Sequence, residues 1–189
     1  YQIDILQFLT HQNMSKIKQL LNEIAASRQN YLDSITGLDE QQAQWKPDSD
    51  TWNTVEITEH LFWAEQGGIL GMWKTLHGVR AGTLSYENAK PHEGLPIEEI
   101  ILRTWKEKEI VPAVAAPRMG GPLAFWAESL KGLQPILEAL GNAMSEEELK
   151  MMAHPHPISG PLDFGQRFEF LRFHIDRHIG QIENLKKSM

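Results

Sequence analysis

Phe164-Gly165-Gln166-Arg167-Phe168-Glu169-Phe170-Leu171-Arg172-Phe173-His174-Ile175-Asp176-Arg177-His178-Ile179-Gly180-Gln181-Ile182-Glu183 is the stretch that decides how this chain is read. Its apolar residues fall at Phe164, Phe168, Leu171, Ile175, Ile179, Ile182 and Leu185, the spacing of one helix face. His174 and His178 lie on or beside that stripe, four residues apart. Side chains at i and i+4 of a helix have Cβ atoms roughly 5–6 Å apart, so two imidazoles from successive turns can share one metal ion. They can equally fill core space or bond a carbonyl at the rim, and the pair alone does not choose. The glutamate of the zincin motif is missing, because Ile175 follows His174. Asp176 lies on the opposite side of the helix and supplies no metalloprotease-style base.

Composition narrows the classes. A chain of 189 residues is most simply one domain, residues 1–189, with a real core. Hydrophobic content of 41% and charged content of 23% are ordinary globular values. A net charge of −7 argues against a nucleic-acid partner, which calls for a basic face. The absence of cysteine excludes disulfides, thiolate ligands and a cysteine nucleophile, and leaves the redox compartment unreadable. No apolar run reaches the ~20 residues that span a bilayer, so no membrane partner is expected. Cytoplasmic residence is the default expectation, although a chain beginning at Tyr1 leaves a removed leader open.

Outward from the last helix, the chain reads as helices joined by loops. Met14, Ile17, Leu21, Ile24, Arg28, Tyr31 and Ile35 mark a first two-faced helix. Arg28 interrupts that row, and a snorkelling side chain is preferred over an anion contact in a pocket. Gly37 supplies a C-terminal cap, and Asp39 with Gln42 caps a short turn of helix. Asn53 and Glu56 form a capping box, with Trp52 and Ile57 as staple, for a second long helix. Its buried row is Ile57, Leu61, Ala64, Gly68, Met72 and Leu76, with His60 beside it. Gly67, Gly68 and Gly71 follow on nearly one face. Each helix-interior glycine costs ~1 kcal/mol relative to alanine, so either a neighbouring helix approaches closely or a cavity opens there.

Gly78 to Pro96 reads as loop, with His77 and His92 solvated. Ile97, Ile101, Thr104 and Trp105 mark a shorter amphipathic helix ended before Pro112, followed by a Pro/Gly/Ala-rich connection to Pro122. Leu123, Trp126, Leu130, Leu133, Leu137 and Leu140 define another helix, which Pro135 should kink. Ser145 and Glu148 start a short helix, with Met144 and Leu149 as staple. The His154-Pro155-His156-Pro157 loop leads to Gly160-Pro161, a helix-start signal.

Four long apolar stripes and no strand-like run give an all-α four-helix bundle. His60 and the His174/His178 pair then lie near the bundle axis on different helices. Three imidazoles from two helices are metal chemistry that leaves coordination positions open. The paired Glu-x-x-His segments of di-iron bundles, the phosphate-binding glycine loop and the Gly-x-Ser-x-Gly elbow are all missing.

Trp45-Lys46-Pro47, followed by Thr51-Trp52-Asn53-Thr54-Val55-Glu56-Ile57-Thr58-Glu59-His60-Leu61, resembles the second-helix signature of the DinB-like superfamily. His154-Pro155 through Gly160-Pro161-Leu162, then His174-x-x-x-His178-x-x-Gln181-Ile182, resembles that family's last helix and the loop before it. Ala116-Pro117-Arg118 fits its proline-bearing connection. The likeness runs from about Met14 to Leu185. It implies a DinB-like four-helix bundle with long connections and short accessory helices. It also implies one divalent metal ion (nickel, zinc, iron or manganese) on His60, His174 and His178, and a homodimer. The implied activity is a metal-dependent small-thiol S-transferase or a hydrolase acting on small molecules. The low-molecular-weight thiol would be of the bacillithiol, mycothiol or glutathione kind. The alternatives are a non-catalytic metal-binding stress or accessory protein, and a metal-free bundle with structural histidines. The segment Arg80 to Val111 is insertion-like and leaves the substrate unassigned. No general base is assigned, since Glu59 points about 100° around the helix from His60.

Overall fold

Helix α1 (Lys16–Ile35) begins where the Ser15 hydroxyl accepts the Lys18 amide, at 3.2 Å. The computed structural model describes residues 14–85, 90–106 and 110–189. Ile17, Leu20, Leu21, Ile24, Tyr31 and Ile35 of α1 are buried, as their spacing requires. Gly37, with φ of +83°, takes the left-handed turn that follows. Helices α2 (Glu40–Gln44) and α3 (Thr54–Arg80) both open on reciprocal capping boxes, Asp39 with Gln42 and Asn53 with Glu56.

Helix α3 runs past Gly78, where the sequence suggested a loop. The glycine is there because Leu84 folds back onto the helix: a Cβ at position 78 would lie 2.4 Å from Leu84 Cδ1. Helix α4 (Ile97–Thr104) buries Ile97, Ile100 and Ile101 against Leu162 and Phe170, a small cluster beside the main core.

The expected kinked helix is two helices, α5 (Leu123–Lys131) and α6 (Leu133–Ala143), separated at Gly132. Pro135 cannot donate to the Lys131 carbonyl four residues back, and its ring crowds that carbonyl, so the chain breaks between them. The stripe survives the break: Leu123, Trp126, Leu130, Leu133, Leu137 and Leu140 are all buried. The short helix expected at Ser145 is a single 3₁₀ turn, Glu147–Lys150, with Glu148 accepting the Ser145 amide at 2.8 Å. Helix α7 (Phe164–Ser188) starts from a capping box of Asp163 and Gln166. Gly160-Pro161 lies before it, in a turn where His156 and Gly160 pair through their backbones.

Helix α1 packs along α7, and α3 packs against α5 and α7, giving the four-membered bundle with its core between the stripes. Among the described residues there is no strand, and no helix is long and apolar enough to cross a membrane. Arg28 does not snorkel. It is 2% exposed, ion-paired with Glu65 of α3, and donates to the Gln134 side chain of α6. The acid partner explains why a charge was tolerated in an apolar row.

Candidate metal centre

His60 comes from the second turn of α3, and His174 and His178 from successive turns of α7. The structure brings all three together, each about 95% buried, with one ring nitrogen of each within 4.8 Å of the others. His60 Nε2 lies 3.3 Å from His174 Nε2, and His178 Nε2 lies 3.0 Å from the same atom. Two of the tautomers are fixed from behind. His60 Nδ1 donates to the Ala115 carbonyl at 2.8 Å, and His178 Nδ1 donates to Gln181 Oε1 at 2.7 Å. Both Nε2 atoms therefore present lone pairs to His174, which can offer at most one proton between them. The donor set fits a cation: nitrogens bound at ~2.0–2.1 Å on a tetrahedral ion stand about 3.3 Å apart.

Glu59 sets up this arrangement from the next position on α3. Its Oε1 accepts the Arg118 and Met119 amides, both at 2.8 Å, and the Trp63 indole at 3.1 Å. Its Oε2 accepts the Gly120 amide at 2.9 Å. The connection carrying Ala115 is thus pinned beside His60. Burial raises the Glu59 carboxyl, but these donors outweigh it and hold the group below its ordinary value. A carboxylate so occupied is an anchor and not a base.

Burial pushes His60 down, against the pull of the Ala115 carbonyl. His174 lies well below its ordinary value, first through burial and then through the neighbouring His178 and His60. His178 is pushed down to about 3 by burial and by His60, with the Gln181 bond opposing. All three are neutral imidazoles near pH 7, the form that metal ligation requires.

The triad opens on a cavity of about 1220 Å³. Trp52, Trp63, Trp105, Phe170 and Leu171 give it apolar walls. His154, His156 and Arg167 also line it, and no sequence argument had assigned them to a site. The available signal was the glycine row of α3, and the structure separates its three members. A Cβ on Gly67 would meet nothing within 4 Å. At Gly68 it would stand 3.3 Å from Arg167 Nη2, and at Gly71 2.4–2.6 Å from the His154 ring. Cavity and close approach are both present, but the approaching group at Gly71 is a loop imidazole and not a helix. Of the outlying histidines, His77 is exposed as expected, whereas His92 is partly buried with Nε2 3.0 Å from the Ser159 carbonyl.

With this geometry in view, a family model described as the DinB superfamily matches residues 23–182, and the chain belongs to that family. No curated protein matches the chain.

Proposed function

We propose that this DinB-superfamily member holds one divalent metal ion on His60, His174 and His178 and uses it to transfer a small-molecule thiol onto an electrophile in the adjoining cavity. The convergence of three buried, neutral Nε2 atoms on one point at the cavity wall carries the reading. A bound divalent cation makes a neighbouring thiol or water easier to deprotonate. The chain's own residues supply the rest. Ala115 and Gln181 orient the rings, Glu59 fixes the connection behind His60, and the aromatic walls exclude water.

The cavity favours a thiol over water as the nucleophile. Asp50, an exposed residue, is the carboxylate lining it among the described residues, so no acid stands by the triad to take a proton from water. A thiol ionises near ~8.5 and needs far less help. Since the chain has no cysteine, the sulfur comes from a cosubstrate. In the reaction a carbon–sulfur bond forms as the bond to the leaving group breaks, and the thiol proton passes to solvent.

The test is elemental analysis of untagged protein, followed by a screen of thiol and epoxide or haloalkane pairs. About one divalent ion per chain is expected, with loss on His178→Ala, because two imidazoles do not hold an open site tightly. Equal metal content in His60→Ala, His174→Ala and His178→Ala proteins would sink the shared site. A metal-replete protein that turns over no pair would leave a non-catalytic metal binder.

A further inference from the structure

Arg167 stands two turns before His174 on α7, about 10 Å along the helix axis. It is 4% exposed, and its Nη2 donates to His154 Nε2 at 2.7 Å. Among the described residues its Nε and Nη1 have no acceptor, and no carboxylate pairs with it. The proton positions of the two loop histidines follow from their neighbours. His154 accepts at Nε2, so its proton sits on Nδ1, which is buried and also without an acceptor among the described residues. His156 accepts the Ile158 and Ser159 amides at Nδ1, at 3.2 and 3.1 Å, so its proton sits on Nε2. The group is therefore a set of donors carrying one positive charge, at the wall of a cavity, inside a chain of net charge −7.

Such a cluster is expensive to build. A buried guanidinium is ordinarily paired. Two unfavourable helix-interior glycines, Gly68 and Gly71, leave the space that the Arg167 and His154 side chains occupy.

We propose that this donor cluster binds the carboxylate of a small organic acid whose far end reaches the three histidines. One positive charge balances a monoanion, and the planar guanidinium fork matches a carboxylate. Trp105, Phe170 and Leu171 line the path for the carbon chain. The far end of the ligand rests on the function proposed above; the carboxylate end does not need the metal.

Octanoate, 1-octanol and inorganic phosphate are titrated calorimetrically into the metal-loaded protein, and into His178→Ala and Arg167→Met proteins. Octanoate should bind at least about tenfold more tightly than 1-octanol, in the presence and absence of metal. Arg167→Met should erase that preference and, by removing an unpaired buried charge, raise the melting temperature of the ligand-free protein. Equal affinity for octanoate and 1-octanol overturns the proposal, and so does a folded Arg167→Met protein that keeps the preference. A preference lost in His178→Ala but kept in Arg167→Met places the carboxylate at the triad and overturns it too. Phosphate binding as tightly as octanoate overturns the carboxylate assignment. If Arg167→Met does not fold, the octanoate-to-octanol ratio on the His178→Ala protein decides. A protein that takes up the metal but shows no octanoate preference refutes this inference alone, and one that shows the preference but takes up no divalent ion refutes the proposed function alone.

Discussion

Replacing Gly71 by alanine sets two effects of known size against each other. In an open helix interior the change is worth ~1 kcal/mol in favour of alanine. Here the new methyl carbon would lie 2.4–2.6 Å from the His154 ring, well inside contact distance, so the ring must move. Moving it breaks the 2.7 Å bond from Arg167, and a hydrogen bond to a charged group contributes about 1.5–3 kcal/mol. The expected net loss is roughly 0.5–2 kcal/mol. At about 2–4 °C per kcal/mol for a chain of this size, the melting temperature should fall by about 1–8 °C. Gly67 is the internal control. It lies one turn earlier with nothing within 4 Å of a built Cβ, so Gly67→Ala should raise the melting temperature by about 2–4 °C. Thermal unfolding followed by circular dichroism reads both. If Gly71→Ala stabilises the protein as much as Gly67→Ala does, His154 is not held against the helix and the reasoning fails.

Removing the anchor behind His60 with Glu59→Ala should weaken metal affinity by about 10–100-fold in a chelator competition, and unchanged affinity would show that the Ala115 carbonyl needs no such support. Acidification should destabilise the metal-free protein. His154 and His156 are depressed to about 4 and about 3 in the fold, by burial first and then by Arg167, against ~6.5 unfolded. The unfolded chain binds more protons in that window, so their contribution is full above about 6.5 and is lost as pH falls towards about 3. His156→Asn keeps an acceptor for the loop amides but cannot titrate. It should flatten the stability-against-pH slope by up to ~1.4 kcal/mol per pH unit, and an unchanged slope refutes the depressed state. Glu65→Leu should cost about 3–5 kcal/mol by stranding Arg28, while Arg28→Met with Glu65→Leu should recover most of that loss. Additive losses in the double variant would mean that the two side chains do not act as a pair.

The apolar stripes were legible because each repeats within its own helix: every residue from Leu123 to Leu140 named in that row is buried, even across the break at Gly132. The capping boxes at Asp39 and Asn53 were legible for the same reason, since cap and partner lie three residues apart. His174 and His178 announced themselves by a spacing of four, whereas His60 joined them only through the bundle topology and the family likeness. What stayed hidden depends on distant pairs. Arg28 finds its acid 37 residues away, and Glu59 finds its three backbone amide donors 59–61 residues away. The His154 loop has no periodicity to betray that it folds onto Gly71. Three glycines in two turns did mark the spot, but glycine records only that space is needed and not what fills it.

The contact of Arg28 with Glu65 and Gln134 has a bearing on alignment. It joins α1, α3 and α6 at one height and lies outside the cavity lining. Apolar stripes tolerate sliding, because a shift by one turn of 5.4 Å still sets apolar side chains against apolar side chains. The charged pair does not, since a shifted α3 would leave both members buried opposite carbon. His60 rides on the same helix as Glu65, one and a half turns away. The polar contact thus acts as a vertical stop, fixing the level at which His60 arrives opposite the two histidines of α7.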